Sequence, residues 1–343
     1  MLQRPIRVAM YGLGQIGTDI ARLILKQPHL ELVAAIDTDA AKVGHALGEI
    51  LGHGQRINIR VQQEADLALR ETRPDVVVIA TTSFLRDVFP QIRDCLAARV
   101  HVVSTCEELV YPVASHPEVT QELDEAARAA GVAVLGIGIN PGFVMDMLPI
   151  LLTAPTVDIR HVGVQRVVDA STRRPTLQQR IGAGLDTISF RALLHQQATP
   201  HVGLLHSLRM IADALGWQLE RVEQQAEPII ADSWVRTECV TVAPGQVAGI
   251  HQSARGYSRS REVINLDWRT AVGLADTRDA IMIAGTPPIN VTISGGIHGD
   301  QATAALVVRA IGALPRLAPG LRTVLDLPVL HYSPPYLSVH AVH

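Results

Sequence analysis

The sequence IRVAMYGLGQIG, residues 6–17, decides the fold of the amino-terminal part of this chain. An apolar, strand-like run leads into a glycine-rich turn, and a helix with apolar periodicity follows at residues 20–25. Gly12 permits a tight turn, Gly14 lets the backbone approach a pyrophosphate, and Gly17 lets the helix pack on the strand. The stretch therefore predicts the dinucleotide-binding turn of a Rossmann fold.

An acidic residue supports this interpretation. A second predicted strand, residues 32–36, delivers Asp37 twenty residues after Gly17, where a carboxylate accepts hydrogen bonds from the adenosine ribose. Asp37 and Asp39 would repel the 2′-phosphate of NADP, and no arginine is adjacent, so NAD is favoured over NADP. Lys42 would partly restore NADP binding. The alternative is a glycine-rich turn with no ligand.

The composition is that of an ordinary soluble protein, since 48% of the 343 residues are hydrophobic and 18% are charged. This length suits two domains. The net charge is −3 and no basic, aromatic-interleaved run occurs, so no nucleic-acid partner is expected. No apolar stretch reaches the roughly 20 residues of a membrane span, and the first strand leaves no room for a signal peptide. We therefore expect a cytoplasmic protein with a small-molecule substrate and no membrane partner.

The numbers and spacing of cysteine, histidine and lysine residues limit the kinds of site and mechanism that the chain can have. Three cysteines are too few and too scattered for a disulfide framework, and the 14 histidines show no close ligand spacing, so we expect no metal. Among 30 basic residues, only Lys26 and Lys42 are lysines. A mechanism that needs a lysine base or Schiff base from a second domain is therefore excluded.

Strands and helices alternate after Asp37, which predicts a doubly wound parallel sheet of about six strands. The remaining predicted strands of this part are residues 57–61, 75–80, 101–104 and 132–136. The predicted helices are residues 40–50, 64–70, 85–98 and 117–130.

The pattern changes from about residue 157, where longer strands alternate apolar and polar residues, as in a mixed sheet with one open face. These predicted strands are residues 160–168, 234–242, 262–270 and 280–284. The predicted helices are residues 185–195, 202–215 and 301–314. The fold class is thus α/β: a Rossmann domain at 1–145, an α+β substrate and dimerisation domain at 146–298, and a tail at 299–343 that packs back on the first domain.

Polar residues follow the predicted strands, at the edge where an open α/β sheet binds ligands. Thr81, Thr82 and Ser83 follow the fourth strand. Thr105 follows the fifth and Asn140 the sixth. The threonines are expected to hold the nicotinamide ribose or carboxamide, and the alternative is helix capping by Ser83. The predicted cofactor-binding residues are Gly12, Gly14, Gln15, Ile16, Gly17, Asp37, Thr81, Thr82, Ser83, Thr105 and Asn140.

Glu107 and Glu108 are the predicted catalytic residues. Adjacent side chains in an extended or turn segment point in different directions, so one can face the nicotinamide while the other meets solvent or a backbone amide. A carboxylate beside the hydride acceptor suits proton transfer on an amine, and its charge attracts ammonium. The alternative is a solvated acidic loop.

The predicted second domain offers substrate-binding residues. The basic, glycine-ended segment 173–184 includes Arg173 and Arg174, whose guanidinium groups match a carboxylate or the cofactor phosphates. A surface loop or dimer contact is the alternative. His195 is a further candidate for lining a pocket, although a structural histidine is the simpler interpretation.

Several motifs together resemble the 2,4-diaminopentanoate dehydrogenase family and its relatives, the native NAD(P)H-dependent amine dehydrogenases. They lie at residues 12–17, 36–44, 104–109, 140–143 and 173–184, and the resemblance extends from about residue 6 to residue 304. It implies a Rossmann domain joined to a dihydrodipicolinate-reductase-like domain, a homodimer, and one catalytic glutamate, for which Glu108 is preferred to Glu107.

The implied reaction is oxidative deamination of a primary amine to a ketone, with reductive amination as the reverse. A simple amine would need an apolar pocket, for which Phe143 and Met145 are candidates. The first alternative acts on the C4 amine of a diamino acid, whose carboxylate Arg173 and Arg174 would hold. Two further hypotheses are an oxidoreductase for α-amino or hydroxy acids and an inactive NAD(H) sensor. Dihydrodipicolinate reductase activity is excluded, because the chain has neither a His-His pair nor a lysine beyond Lys42.

Overall fold

The computed structural model describes residues 4–52, 57–196 and 202–332, and the side chains of all of these except residues 195 and 196. The chain divides into two compact units, which we call unit 1 (Met1–Gly142 with Gly299–His343) and unit 2 (Phe143–His298). Among the described residues, no helix is long and apolar enough to cross a membrane. Within the same residues, no group of three or more histidine, cysteine or acidic side chains is arranged to hold a metal ion.

Unit 1 is built on a parallel sheet, which has seven strands among the described residues, in the order β15-β6-β5-β4-β1-β2-β3. Its strands are β1 (Ile6–Tyr11), β2 (Leu30–Ile36), β3 (Val61–Gln62), β4 (Val76–Ile79), β5 (His101–Ser104), β6 (Ala133–Gly136) and β15 (Gly320–Arg322). Its helices are α1 (Gln15–Ile24), α2 (Leu47–Ile50), α3 (Ala65–Thr72), α4 (Leu85–Ala97), α5 (Pro117–Ala130) and α10 (Gly299–Ala313).

The core of unit 1 follows from its apolar strands. All four residues of β4 are fully buried, as expected for a central parallel strand covered on both faces. Leu85, Val88 and Ile92 of α4 lie on one helical stripe and pack into the same core. The predicted α/β Rossmann class is confirmed, although the seventh strand, β15, was not predicted.

The predicted helix at residues 40–50 is wrong. The Asp39 carboxylate accepts a hydrogen bond from Ala41 N–H, which favours a local turn over a helix. Gly44 then adopts a φ of 82°, outside the right-handed helical region, and Ala46 forms a β-bridge with Arg60. Only the short helix α2 remains, and the predicted strand 57–61 is reduced to this bridge and β3.

Unit 2 is built on a mixed sheet with six strands among the described residues, in the order β14-β13-β7-β12-β11-β8. Of the strand pairs that the structure describes in this sheet, only β7–β12 is parallel. Its strands are β7 (Asp158–Asp169), β8 (Arg221–Ile230), β11 (Val247–Ser258), β12 (Arg261–Ala271), β13 (Arg278–Thr286) and β14 (Ile289–Ser294), and β9 (Val235–Arg236) and β10 (Thr241–Val242) form a separate hairpin. The helices are α6 (Met147–Leu152), α7 (Pro175–Arg180), α8 (Thr187–Gln196) and α9 (Leu204–Ala214).

The two faces of the six-stranded sheet differ in burial. Ile250 of β11 and Leu266 of β12 lie on the face covered by α9 and are fully buried. Arg255 and Arg269 on the opposite face are exposed, as is Met282 of β13. Period-two alternation of this kind is what the sequence predicts for a sheet with one open face.

The predicted strand at residues 234–242 is wrong, because a turn interrupts it. Thr237 Oγ1 accepts hydrogen bonds from the N–H groups of Cys239 and Val240, and Thr237 N–H donates to Val240 C=O. These local bonds fold the segment back on itself as the β9–β10 hairpin. The strands β8, β11 and β14 were not predicted.

Candidate active site

The glycine-rich turn has the geometry of a phosphate cradle. A Cβ added to Gly12 (φ 97°) would lie 2.6 Å from the carbonyl oxygen of the residue after β4, and one on Gly17 would lie 2.0 Å from Gly12 C=O. By contrast, apart from Gly14 and its two chain neighbours, no residue that the structure describes comes within 4 Å of a Cβ added to Gly14. Gln15 is exposed and Ile16 half-buried in the first turn of α1. The turn thus packs tightly on the sheet and leaves open space at Gly14 for a pyrophosphate.

Asp37 ends β2 at the same edge of the sheet. Its Oδ2 accepts from Leu13 N–H (2.7 Å), and its Oδ1 accepts from Asp39 N–H (2.9 Å). Lys42 Nζ lies 3.3 Å from Asp37 Oδ2 and 3.2 Å from Asp39 Oδ2. Burial disfavours the charge of Lys42, but hydrogen bonds to Asp39 and Asp37 outweigh it and raise the pKa of Lys42. A fixed carboxylate therefore stands at the position predicted for the adenosine ribose, with a charged ammonium beside it.

The polar residues after β4 and β5 lie at this edge as well. Thr81 Oγ1 donates to Gln91 Oε1 (2.7 Å), and Thr82 Oγ1 accepts from Phe84 N–H (3.3 Å). Thr105 is half-buried after β5. Contact of these hydroxyls with the nicotinamide end of a cofactor stays a prediction.

Glu108 turns into the protein. Its Oε2 accepts from Leu85 N–H (2.6 Å), the first residue of α4, and only 11% of its side chain is exposed. The positive end of the helix dipole and the backbone N–H both favour a charged carboxylate at this place. Glu108 is therefore not part of a solvated loop. The proposed capping of α4 by Ser83 is wrong, because Glu108 occupies that end of the helix.

Glu107 has a different environment, in agreement with the expectation that the two side chains diverge. Its Oε1 accepts from Ser83 Oγ (3.1 Å), and its side chain is half-buried. Ser83 C=O in turn accepts from Glu108 N–H (3.2 Å). Ser83 thus ties the loop after β4 to the glutamate pair after β5.

His116, at the start of α5, was missed by the sequence analysis. Its Nε2 lies 3.3 Å from Glu108 Oε2. A His-Pro step before a helix gives no signal of such a contact. The segment between Glu108 and His116 forms two irregular 3₁₀ turns, so no helical or strand periodicity predicts how close the two side chains come. The structure brings together Glu107, Glu108 and His116.

Asn140 follows β6 at the same edge. The buried Asn140 Oδ1 receives no hydrogen bond from any group in the described residues. The neighbouring Ile139 N–H donates to Thr303 Oγ1 (3.2 Å), so α10 fixes the segment. A buried carbonyl oxygen without a donor fits the amide N–H₂ of a nicotinamide, and the open space at Gly14 fits the phosphates. The residues present therefore suit a dinucleotide.

Arg173 and Arg174 lie in unit 2, in the turn between β7 and α7, and both side chains are half-buried. The buried Gln178 holds this turn, because its Nε2 lies 3.0 Å, 3.2 Å and 3.0 Å from the carbonyl oxygens of Ala170, Ser171 and Arg173. The sequence analysis missed Gln178, which looks like one more polar residue of a basic loop. The arginines are thus placed on an ordered turn.

The other predicted substrate residues of unit 2 differ in exposure. Phe143 is half-buried, whereas Met145 is fully buried. His195 belongs to α8, but its side chain lies outside the described residues. Contact of Phe143, Met145, Arg173, Arg174 and His195 with a substrate stays a prediction.

Comparison with known proteins defines the class. Residues 6–137 match the oxidoreductase family with an NAD-binding Rossmann fold, and residues 143–334 match the C-terminal domain of 2,4-diaminopentanoate dehydrogenase. The chain is therefore an oxidoreductase with an NAD(P)-binding Rossmann domain. It belongs to the 2,4-diaminopentanoate dehydrogenase family, which confirms the resemblance inferred from its motifs.

Two relatives and one solved structure are similar over nearly the whole chain. The 2,4-diaminopentanoate dehydrogenase of Acetoanaerobium sticklandii is 32% identical, and the match covers 94% of each chain. An amine dehydrogenase of Streptomyces virginiae is 26% identical, covering 94% of this chain and 96% of the relative. The structure of an amine dehydrogenase from Mycobacterium smegmatis superposes with a TM-score of 0.87 at 26% identity, covering 96% of this chain and 98% of that one.

Proposed function

We propose that this protein is an NAD(P)-dependent amine dehydrogenase, which oxidises a primary amine to a ketone with release of ammonia and catalyses the reverse reductive amination. The observation that carries the proposal is the carboxylate of Glu108, held at the carboxyl edge of the Rossmann sheet in a chain without lysine beyond Lys42. A carboxylate there suits an ammonium substrate, whereas alcohol oxidation commonly uses a tyrosine–lysine pair or a histidine. The relatives named above support the same reaction class.

Glu108 is the base we favour. Held by Leu85 N–H, its carboxylate would bind the substrate ammonium, remove one proton and leave the neutral amine whose carbon can release a hydride. A bound nicotinamide supplies the chemistry of accepting that hydride. Glu107 is the alternative base, because its half-buried carboxylate lies at the same edge and bonds to Ser83.

We infer that the cofactor is NAD, with NADP as the alternative. The Asp37 carboxylate favours ribose hydroxyl groups and repels a 2′-phosphate. Lys42, 3.3 Å from Asp37 Oδ2, partly offsets this repulsion. Asn140 Oδ1 would accept a hydrogen bond from the nicotinamide amide, and Gly12, Gly14 and Gly17 would accommodate the pyrophosphate.

Two substrate classes follow from unit 2. A 2,4-diamino acid has a carboxylate that Arg173 and Arg174 would bind in bidentate fashion, and the diaminopentanoate relative supports this class. A simple amine would instead need apolar contacts, for which Phe143 and Met145 are the candidates. We favour the simple amine as the primary substrate and keep the C4 amine of a diamino acid as the alternative.

We also infer a homodimer, as the family resemblance implies. The open face of the sheet in unit 2, where Met282 is 50% exposed, offers a surface for a second copy. Light scattering coupled to size exclusion tests this directly, and a mass close to 37.0 kDa would exclude the dimer.

The experiment that tests the proposed function measures NAD(P)H formation by the purified protein at alkaline pH. Two substrates, 2,4-diaminopentanoate and a carboxylate-free 2-aminoalkane, are each combined with NAD and with NADP. Turnover of the simple amine supports an amine dehydrogenase and excludes an obligatory α-carboxylate. Turnover of the diamino acid alone supports the alternative, in which the arginines anchor a carboxylate.

Absence of turnover with both substrates would contradict the proposal and favour the NAD(H) sensor. The same preparation is titrated with NADH by fluorescence to show that its cofactor site is intact. Replacing Glu107 and Glu108 together by glutamine should leave this binding intact in either case. The catalytic interpretation fails if amine oxidation also survives the double replacement.

A further inference from the structure

The ring of His116 faces the carboxylate of Glu108. His116 Nε2 lies 3.3 Å from Glu108 Oε2, yet it is buried and makes no aligned hydrogen bond with the residues that the structure describes. The same side chain is 34% exposed, so part of it reaches solvent. One side chain therefore contacts both a buried carboxylate and solvent.

The backbone holds His116 in this place. His116 N–H donates to Pro112 C=O (2.8 Å), and His116 C=O accepts from Thr120 N–H (2.9 Å) and from Thr120 Oγ1 (2.7 Å). The residue is thus fixed between a 3₁₀ turn and the first turn of α5. These bonds fix the backbone position from which the ring approaches Glu108.

The contact between His116 Nε2 and Glu108 Oε2 can be bridged by one proton. A neutral imidazole nitrogen and a carboxylate oxygen are both acceptors, and a proton between them converts the opposition into a charge-assisted hydrogen bond. The titratable group that faces His116 from the 3₁₀ turn is the carboxylate of Glu108. Helix α4 contributes Leu85 N–H, which donates to Oε2 of that carboxylate. Cys106 nearby stays a neutral thiol, because burial raises its pKa to about 12.

We propose that His116 is the proton-transfer partner of Glu108. In amine oxidation, the Glu108 carboxylate takes a proton from the substrate ammonium and becomes a carboxylic acid. The O–H bond of that acid then breaks as Nε2 of the neutral imidazole accepts the proton, and the Nδ1–H bond of the imidazolium breaks as water accepts the second ring proton. The carboxylate is restored and the neutral ring is left protonated on Nε2; exchange of the ring protons with water returns the Nδ1–H tautomer for the next turnover, and reductive amination runs the same steps backwards.

This role rests on the proposed function of Glu108, because His116 acts on the substrate only through that carboxylate. The distance of 3.3 Å is long for a transfer, but catalytic hydrogen bonds are often long without substrate and tighten in the reacting complex. Protonation of Glu108 also supplies an O–H donor to His116 Nε2, so two acceptor atoms no longer face each other.

The test uses His116→Ala and His116→Gln in the full-length protein, with His161→Ala as a matched control. His161 Nε2 lies 3.3 Å from Glu262 Oε1 on strands β7 and β12 of unit 2, so it forms the same kind of pair at the same distance. For each variant we would measure kcat and KM for the amine, and the Kd for NADH by fluorescence. The assays are repeated with increasing imidazole as a soluble proton carrier.

We expect His116→Ala to lower kcat by about 100-fold, the lower end of the range for a lost acid–base partner, with little change in KM or NADH affinity. Added imidazole should restore part of kcat, because the shortened side chain opens a path to Glu108. His161→Ala should keep the parental kcat and show no response to imidazole. An unchanged kcat in His116→Ala, or a loss that imidazole does not restore, would overturn the proposal.

A second measurement covers the case in which His116→Ala does not fold. His116→Gln keeps a polar side chain but cannot carry a proton, so it should lower kcat without rescue. Combined with Glu108→Gln, it should add no further loss if His116 acts through Glu108, whereas additive losses would overturn the proposal. If Glu108→Gln alone remains fully active, the proposed base is wrong; if it is inactive while His116→Ala is unchanged, only the role of His116 fails.

Discussion

Two buried carboxylates, Asp279 of unit 2 and Glu108 of unit 1, differ in how their charge is compensated. In unit 2, Asp279 is fully buried and lies 2.7 and 2.8 Å from Nη1 of Arg166, itself only 3% exposed, while Ile297 N–H donates to it at 2.8 Å. In unit 1, Glu108 receives a neutral backbone N–H and faces a histidine. The Asp279 carboxylate is thus neutralised by a permanent cation, whereas the Glu108 carboxylate has only neutral or titratable neighbours among these contacts, which suits a group that exchanges protons.

The largest expected effect on stability comes from breaking the pair in unit 2. Asp279→Asn leaves the Arg166 guanidinium buried without its counter-ion, so we expect a loss of about 3–5 kcal/mol in the free energy of unfolding. Denaturant unfolding measures the loss. Arg160→Ala, which breaks the exposed pair with Asp158, is the control and should cost less than about 1 kcal/mol. Equal effects of the two variants would remove the distinction between buried and surface pairs.

Two glycine variants test whether residues of unit 1 serve packing or cofactor binding. A Cβ at Gly17 would lie 2.0 Å from Gly12 C=O, so Gly17→Ala should lower thermal stability, by an overpacking cost of about 1–3 kcal/mol, together with NADH affinity. Gly14→Ala meets open space and should weaken NADH binding with little change in thermal stability. Calorimetry and NADH titration separate the two. If Gly14→Ala binds NADH as the parent does, the open space at Gly14 is not the phosphate site.

The smallest effect is expected at the amino ends of the strands in unit 1, where Arg4 forms a bidentate pair with Asp75 (both distances 2.7 Å). The hydrogen bond from Arg4 lowers the pKa of Asp75 below its ordinary value. The pair therefore stabilises the fold above that ordinary value, about pH 4, and the contribution is lost as pH falls through the lowered pKa.

Asp75→Asn should thus lower the melting temperature slightly at neutral pH and reduce the further loss on acidification. Melting curves at neutral pH and near pH 3 measure this difference. The effect is small because Arg4 is largely exposed to solvent, which screens the pair. A steeper acid dependence in the variant than in the parent would contradict the expected direction.

Sequence patterns predicted the Rossmann part closely, because its parallel strands are short, apolar and separated by helices with clear periodicity. The helix 117–130 and the strand 101–104 have the observed bounds. The secondary-structure predictions are wrong where local side-chain hydrogen bonds, or pairing with a strand far away in the sequence, determine the conformation. Asp39 and Thr237 turn segments that look periodic, and β15 pairs with β6 although the two strands are far apart along the chain.

The polar set at the carboxyl edge was predictable, because ligands in open α/β sheets bind beyond strand ends. The partners of those residues were not. His116, Gln178 and Arg166 act through contacts that join different elements, and nothing in their local sequence distinguishes them from surface residues. Adjacent glutamates are also equivalent in a sequence, and only the structure separates the carboxylate bonded to Leu85 from the one bonded to Ser83.

The most direct test of the central claim, that Glu108 is the catalytic base, compares Glu108→Gln with Glu107→Gln. Both variants keep the side-chain length and an oxygen acceptor, so both should bind NADH with nearly the parental Kd. We expect Glu108→Gln to lower kcat for amine oxidation by about 10³-fold, within the range for a lost general base, and Glu107→Gln to lower it much less. Full activity of Glu108→Gln with normal NADH binding, or the larger loss in Glu107→Gln, would contradict the account.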